Sequence, residues 1–368
     1  MSSEEIIVGF IGAGGIARAH AFAINSLRYY YNDSPVIKLK LVCSASEKSR
    51  SSFAGSFGFL RPVSLDEFFS DKKVNTVFIL GPNKVHASHF LKSIEMPSVK
   101  RIYIEKPICS TREEEDQLAG IIKEHPEIKI QAGFQFLFMA SVRSALKFWK
   151  SGILGAPIHF DIRYYHGDYL KKEYRYKRAT RLTPAPDGGA MADLGSHAIS
   201  LAIAFFNEDL KITSVSQSGY FEDVTPASDL YSTISLFDEQ TGAVGTLSAS
   251  RVSAGTGDML SMEIYAEKGT LRLSSQTADH FEYYLEETGS WSRILTGSNY
   301  DPVTSFPSGH VPPGWLRSMI HAHYVFLTEN NNEPFIPDLS HGLTVQRIVR
   351  ETAEQLDVFR KKVLKRQK

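Results

Sequence analysis

The sequence has little sulfur, no bias of charge and no long apolar run. Only two cysteines, Cys43 and Cys109, occur in 368 residues. They lack the spacing of a zinc site and the number for a disulfide framework, so the expected setting is reducing and cytoplasmic. Lys plus Arg number 41 and Asp plus Glu 41, a formal net charge of zero. A nucleic-acid partner or an anionic membrane surface calls for a concentrated basic field, so neither is expected. No stretch approaches the ~20 apolar residues of a membrane span. The acidic opening MSSEEIIVGF, broken at Gly12, does not read as a secretory signal. No metal is expected: His86 and His89 share a helical face, but His321 and His323 do not, and no cysteine or carboxylate completes a set. There is no internal repeat and no low-complexity tract. What remains is a globular chain long enough for two domains.

The first third alternates apolar runs with helical patterns. Strands are expected at Ile6 to Ile11, Leu39 to Ala45, Val74 to Leu80, Val99 to Ile104 and Ile128 to Phe134, with helical stretches at Val85 to Ile94 and Arg112 to Ile122. Such alternation predicts a doubly wound parallel sheet with helices on both faces. After a helix at Met139 to Ser151 the texture changes. Strand-like segments then lie closer together, at Ile158 to Tyr165, Ile212 to Phe221, Ser228 to Phe237, Ala243 to Ser250, Met259 to Ala266 and Thr270 to Leu273. Further helices are expected from near Asp193, at Trp315 to Thr328 and at His341 to Arg360. The fold class is therefore α/β. An N-terminal Rossmann domain over residues 1–132 precedes a C-terminal α+β domain over 133–368, which carries a large, mainly antiparallel open sheet.

The first strand runs into VGFIGAGGIARAH, in which Gly12, Gly14 and Ala17 spell GxGxxA at the start of a helix. In a dinucleotide-binding unit the first glycine makes a tight turn and the second lets backbone approach a pyrophosphate. The third small residue packs helix on strand. The diphosphate then meets the helix N-terminus, where unpaired N–H groups and the helix dipole favour negative charge. A ribose-binding acid usually lies about 20 residues on, and that count lands on Asp33, but Asp33 sits in YYYNDSPV, a loop before the second strand. The end of that strand reads LKLVCSASEKSR, which places Ser46 where NAD-selective proteins usually carry an acid, followed by Lys48 and Arg50. A hydroxyl with nearby cations suits the 2′-phosphate of NADP. NAD stays open, because Glu47 favours it if its carboxylate turns inward.

Two further stretches carry a family likeness: RIYIEKPICS at the end of a strand, and DGGAMADLGSHAISLA in the second domain. Glu-Lys-Pro downstream of GxGxxA, with Asp-x-Gly-x-His later and GPNKVHASH between, resembles the Gfo/Idh/MocA family of glucose–fructose oxidoreductase and inositol dehydrogenase over most of the chain. The resemblance implies cofactor contacts from Gly12, Ala13, Gly14, Gly15, Ile16, Ser46, Lys48, Arg50, Gly81, Pro82, Asn83, His86, Glu105 and Lys106. It also implies a catalytic set of Lys106, Asp193 and His197, in which Lys106 orients and polarises a hydroxyl, His197 is the acid/base and Asp193 positions substrate or His197. The residue types agree. Four positions apart, Asp193 and His197 share one face of a regular helix, and histidine titrates where a hydroxyl proton must be moved. Gly195 between them costs about 1 kcal/mol of helix propensity, tolerable where something approaches closely.

Substrate contacts are expected from Lys106, Gln135, Tyr164, His166, Asp168, Arg178, Arg181, Asp193 and His197, since IRYYHGDYLKKEYRYKRATR is rich in aromatic and hydrogen-bonding side chains. The family pattern is broken at Leu137, where many members have arginine, and at Ser200, where many have aspartate. The expected activity is NAD(P)-dependent interconversion of a hydroxyl and a carbonyl on a sugar, polyol or related cyclic alcohol. A non-catalytic NAD(P)-binding sensor on the same fold is the alternative. An open sheet whose free face is not wholly polar points to a homodimer or homotetramer.

Overall fold

The computed structural model describes residues 5–31, 33–179, 182, 188–218, 221, 223, 229–296, 313–328 and 333–366. The chain divides into two compact units, Met1–Phe138 with Leu316–Leu343, and Met139–Trp315 with Thr344–Lys368.

In the first unit, strands β1 (Ile6–Ile11), β2 (Ile37–Cys43), β3 (Arg61–Val63), β4 (Thr76–Ile79), β5 (Arg101–Ile104) and β6 (Lys129–Ala132) form a parallel sheet in the order β3-β2-β1-β4-β5-β6. Its central strands are buried on both faces, which is why they read as continuous apolar runs. Helices α1 (Gly15–Tyr30), α2 (Glu47–Phe57), α3 (Leu65–Phe69), α4 (His86–Ile94) and α5 (Arg112–Glu124) connect them. The strand order reverses between β1 and β4, and ligands of doubly wound sheets bind outside the carboxyl ends of the strands at such a switch point. The first unit also takes residues from far down the chain. Lys129 Nζ donates to the carbonyls of Val325 and Thr328, each at 2.7 Å, and Gln131 Nε2 to that of Ala322 at 3.2 Å.

In the second unit, helices α6 (Ala140–Lys150), α7 (Lys172–Lys177) and α8 (Ser196–Phe205) accompany strands β7 (Pro157–Tyr165), β8 (Leu210–Ser218), β9 (Tyr231–Asp238), β10 (Val244–Ser250), β11 (Met259–Ala266), β12 (Gly269–Ser274), β13 (His280–Leu285) and β14 (Ser290–Leu295). Among the described residues the strands pair in the order β14-β13-β12-β11-β7-β10-β9-β8. All pairs are antiparallel except β7 with β10. Along β9 the even positions Ser232, Ile234, Leu236 and Asp238 are buried while Tyr231, Thr233, Ser235 and Phe237 are half-buried, the period of a sheet with one packed face. Helices α9 (Pro313–Leu327) and α10 (Leu339–Arg366) complete the chain, and no helix among the described residues is long and apolar enough to cross a membrane. Cys43 and Cys109 are both buried, and neither forms a disulfide.

Candidate active site

The glycine turn has the shape its sequence predicts. Gly12 has φ +126°, and a Cβ there would stand 2.6 Å from the carbonyl of Leu80, so only glycine lets the end of β1 pass the end of β4. Gly14 caps α1 without a side-chain acceptor, and no acid occupies the first helical turn. A Cβ at Gly14 or Gly15 would meet nothing within 4 Å. Open space thus faces helix N–H groups with no side-chain anion to answer them, which fits a diphosphate. Ala17 is wholly buried against the sheet. Asp33 lies in the connection before β2 and accepts a hydrogen bond from Tyr324 at 2.7 Å.

At the end of β2, Ser46 is the N-cap of α2, its Oγ accepting from Ser49 N at 3.2 Å. Arg50 folds back to donate through Nη1 to the Ser44 carbonyl at 3.1 Å, while Glu47 and Lys48 are exposed. The hydroxyl and cation named from sequence therefore belong to one capped turn.

Two buried polar groups tie the loops at the switch point together. His86, beyond the short turn Asn83–Val85, lies within 2.7 Å of the Pro107 carbonyl through Nδ1 and 3.0 Å of the Gly81 carbonyl through Nε2. It links the GPN segment to the Glu-Lys-Pro segment, and both contacts are hydrogen bonds only when the ring carries both protons. Glu105 is 5% exposed. Its Oε1 meets His20 Nε2 at 2.9 Å, its Oε2 accepts from the backbone N of Lys106 at 3.2 Å, and His20 Nδ1 meets His323 Nε2 at 2.9 Å. Burial pushes His323 well below its usual range, so that ring is neutral. A neutral His323 that donates from Nε2 and a His20 that donates from Nε2 form one consistent chain ending on the carboxylate. His20 and His323 were not expected from sequence. Lys106 is half-buried and Gln135 buried.

In the second unit the segment that leads into α8 is more constrained than a regular helix. Gly189 has φ +84°, and a Cβ there would lie 2.6 Å from Asp229 Oδ2. The glycine admits a wholly buried carboxylate that accepts from Met191 N at 3.0 Å and from Ser232 Oγ at 2.8 Å. Met191–Gly195 then forms a π turn, and α8 begins only at Ser196. The turn through Asp193 is therefore wider than the regular α-helix expected from sequence, but four positions are still close to one full turn, so the shared face of Asp193 and His197 is kept. The close approach at Gly195 also has a local cause: a Cβ would overlap the Met191 thioether of the same turn.

His197 is 5% exposed, and its ring lies 5.8 Å from that of Tyr164. Burial raises the Tyr164 phenol well above its usual range, and the carboxylates of Asp258, Asp193 and Asp168 raise it further. Tyr164 therefore keeps its proton. Asp193 accepts from Arg251 Nη2 at 2.8 Å. His166 is buried, its Nδ1 accepting from Asp168 N at 3.2 Å. The structure thus gathers Tyr164, Asp168, Asp193 and His197 in one region. Arg178 is exposed, stacked over Tyr174 at 5.9 Å, and Arg181 lies outside the described residues. Arg175 has a structural partner instead, donating to both oxygens of Asp223 at 3.0 and 2.7 Å. Sequence reading missed Asp229 and Arg251. Among the described residues no group of three or more His, Cys, Asp or Glu is placed to hold a metal ion.

A glycine turn at the switch point of a parallel sheet, in a chain whose second unit is built on a mainly antiparallel sheet, is the architecture of a two-domain nicotinamide-dependent oxidoreductase. The chain belongs to the Gfo/Idh/MocA family. Residues 6–134 match the oxidoreductase family with an NAD-binding Rossmann fold, and residues 142–272 match the GFO/IDH/MocA C-terminal domain. Levoglucosan dehydrogenase of Pseudarthrobacter phenanthrenivorans is 23% identical over 309 residues, 76% of each chain. Glucose-6-phosphate 3-dehydrogenase of Bacillus subtilis is 25% identical over 211 residues, 56% of each chain. A solved structure of levoglucosan dehydrogenase in complex with NADH superposes with TM-score 0.79 at 19% identity, covering 96% of this chain and 97% of that one.

Proposed function

We propose that this oxidoreductase interconverts a hydroxyl and a carbonyl on a sugar, polyol or related cyclic alcohol, with Lys106, Asp193 and His197 as its catalytic set. The observation that carries this reading is the grouping of buried His197 and Tyr164 with half-buried Asp193, in a chain whose relatives are named dehydrogenases. When bound, the nicotinamide cofactor supplies the hydride acceptor or donor. The backbone of Gly12, Ala13, Gly14, Gly15 and Ile16 holds the diphosphate, and Gly81, Pro82, Asn83, His86 and Glu105 shape the switch-point loops. Ser46, Lys48 and Arg50 favour the 2′-phosphate, making NADP(H) the preferred cofactor. Lys106 hydrogen-bonds the reacting oxygen. His197 takes the hydroxyl proton during oxidation and returns it during reduction. Tyr164 donates without giving up its proton, and Gln135, His166, Asp168, Arg178 and Arg181 orient the substrate.

Two further parts of the reading concern setting and assembly. Two buried cysteines outside any disulfide suit a reducing cytoplasmic setting. The less buried face of the second sheet, with Tyr231 and Phe237 on β9 and His159 stacked on Tyr265 at 4.3 Å, suits association into a symmetric homodimer or homotetramer. A monomer by light scattering at micromolar concentration overturns that assembly. The activity is tested by following reduced-cofactor absorbance across a panel of aldoses, anhydrosugars, sugar phosphates and polyols. Turnover on at least one of these classes is expected, whereas tight cofactor binding with no turnover on any returns the chain to a sensor.

A further inference from the structure

Arg251 immediately follows β10 and is wholly buried, yet carries a charge that no aqueous shell can compensate. Its Nη2 donates to Asp193 Oδ2 at 2.8 Å, with side-chain exposure 0% for Arg251 and 23% for Asp193. The guanidinium lies over the ring of Tyr169, 4.6 Å from its centroid. The backbone is fixed from both sides: Arg251 N donates to the Leu230 carbonyl at 2.9 Å, and Tyr169 N donates to the Arg251 carbonyl at 3.1 Å. Burial raises the Asp229 carboxyl, which accepts from Met191 N at the start of the π turn, above its usual range, and the hydrogen bonds from Met191 and Ser232 and the charge of Arg251 oppose that rise. One rigid cation thus serves two carboxylates, one turned inward to fix the turn and one opening towards solvent.

We propose that Arg251 is a positioning residue of the catalytic set: it holds the Asp193 carboxylate ionised and in one orientation on the π turn, so that Asp193 acts as a fixed acceptor and not as a proton donor. This rests on the assignment of Asp193 to the catalytic set. Arginine suits the task better than lysine because its planar fork is permanently charged and stacks on an aromatic face. Asp193 lies on the π turn, and Arg251 anchors its carboxylate there. Proton transfer is left to His197, and Asp193 contributes charge and geometry.

The test is a double-mutant cycle on the sugar turned over fastest in the panel, using the full chain with NADPH or NADH affinity measured alongside. Arg251→Met is expected to lower kcat by about 10²-fold through misplacement of Asp193, with little change in cofactor affinity. Arg251→Lys is expected to recover part of that loss. Added to Asp193→Asn, Arg251→Met is expected to cost little more, since the two act as one unit. Carbon-13 titration of the Asp193 carboxyl gives a readout independent of substrate, with a midpoint that rises when Arg251 is replaced. A folded Arg251→Met variant with kcat within about threefold of the parent overturns the proposal, as do losses that multiply in the double variant. If Arg251→Met does not fold, Arg251→Lys carries the same cycle, and an equal loss with and without Asp193→Asn overturns it. If Asp193→Asn alone leaves kcat intact, the catalytic set is wrong and this proposal falls with it. The first two failures, by contrast, leave the catalytic set standing.

Discussion

Ser46→Asp separates cofactor recognition from folding, because the substitution leaves the local structure its cap. Ser46 Oγ accepts from Ser49 N at the start of α2, and an aspartate accepts the same bond about as well. Its charge also gains ~0.3–1 kcal/mol from the helix N-terminus, so Tm should hold or rise slightly. The same carboxylate stands beside the expected 2′-phosphate, next to Arg50, whose Nη1 is already committed to the Ser44 carbonyl. Taking ~5 Å between the two anions and an effective dielectric of ~20 to 40 gives roughly 1.5–3 kcal/mol of repulsion per unit charge. NADPH affinity should fall by about 10- to 150-fold while NADH affinity is unchanged or improved. Ser46→Ala is the control: it removes the cap, at a cost of about 1 kcal/mol, without adding an anion, so stability drops and the cofactor ratio stays put. Fluorescence titration of both reduced cofactors into the three proteins measures the affinities, and thermal unfolding of the same proteins measures Tm. A Ser46→Asp protein that is as stable as the parent and binds NADPH equally well refutes the assignment of this turn to the 2′-phosphate.

Three further outcomes are expected. His197→Ala should lose roughly 10²- to 10⁴-fold in kcat/KM and the rising limb of its pH profile, whereas Lys106→Ala should abolish most turnover and leave cofactor affinity nearly intact. An unchanged pH profile in His197→Ala would move the proton to another group. His20→Leu removes the donor from buried Glu105, which costs about 1–3 kcal/mol and should lower Tm by roughly 3–10 °C. Calorimetry should show His20→Gln regaining part of this, and equal Tm values for parent and Leu variant would show that the contact is idle. Burial lowers His89 to about 4 and His341 to about 3 from a usual 6.5, and lowers His323 too. Below pH 6.5 the unfolded chain therefore binds more protons, so stability is complete above that pH and falls as pH drops towards 4, by up to ~1.4 kcal/mol per pH unit for each ring. His341→Phe should flatten a plot of Tm against pH, and an unaltered slope would show that His341 is protonated in the folded chain.

The parallel strands were legible because burial on both faces leaves an uninterrupted apolar signature, as in the buried run of β4. The strand β3 was not: it has three residues, one of them Pro62, with Arg61 and Pro62 exposed. Helix α2 buries only Phe53 and Ala54, too little for a readable apolar stripe. Helix α3 did leave a mark, since Ser64 and Glu67 make a reciprocal capping box, readable as Ser-x-x-Glu. Edge strand β14 and its neighbour β13 show little alternation between buried and exposed positions. The glycine turn was legible down to single residues because Gly12 answers a backbone demand, and backbone demands are local.

What sequence spacing could not show is where a buried charge finds its partner. His20 pairs with Glu105 across 85 residues of chain, and Arg251 pairs with Asp193 across 58. No periodicity encodes such distances. Yet both pairs end on residues that the motifs had already singled out, one on the carboxylate beside Lys106 and the other on the carboxylate of the π turn. A motif residue must be held still to act, and in a buried setting the holding group has to be polar and itself satisfied. Searching outward from each motif residue for the nearest wholly buried cation or imidazole therefore finds the supporting residues that a search along the sequence passes over.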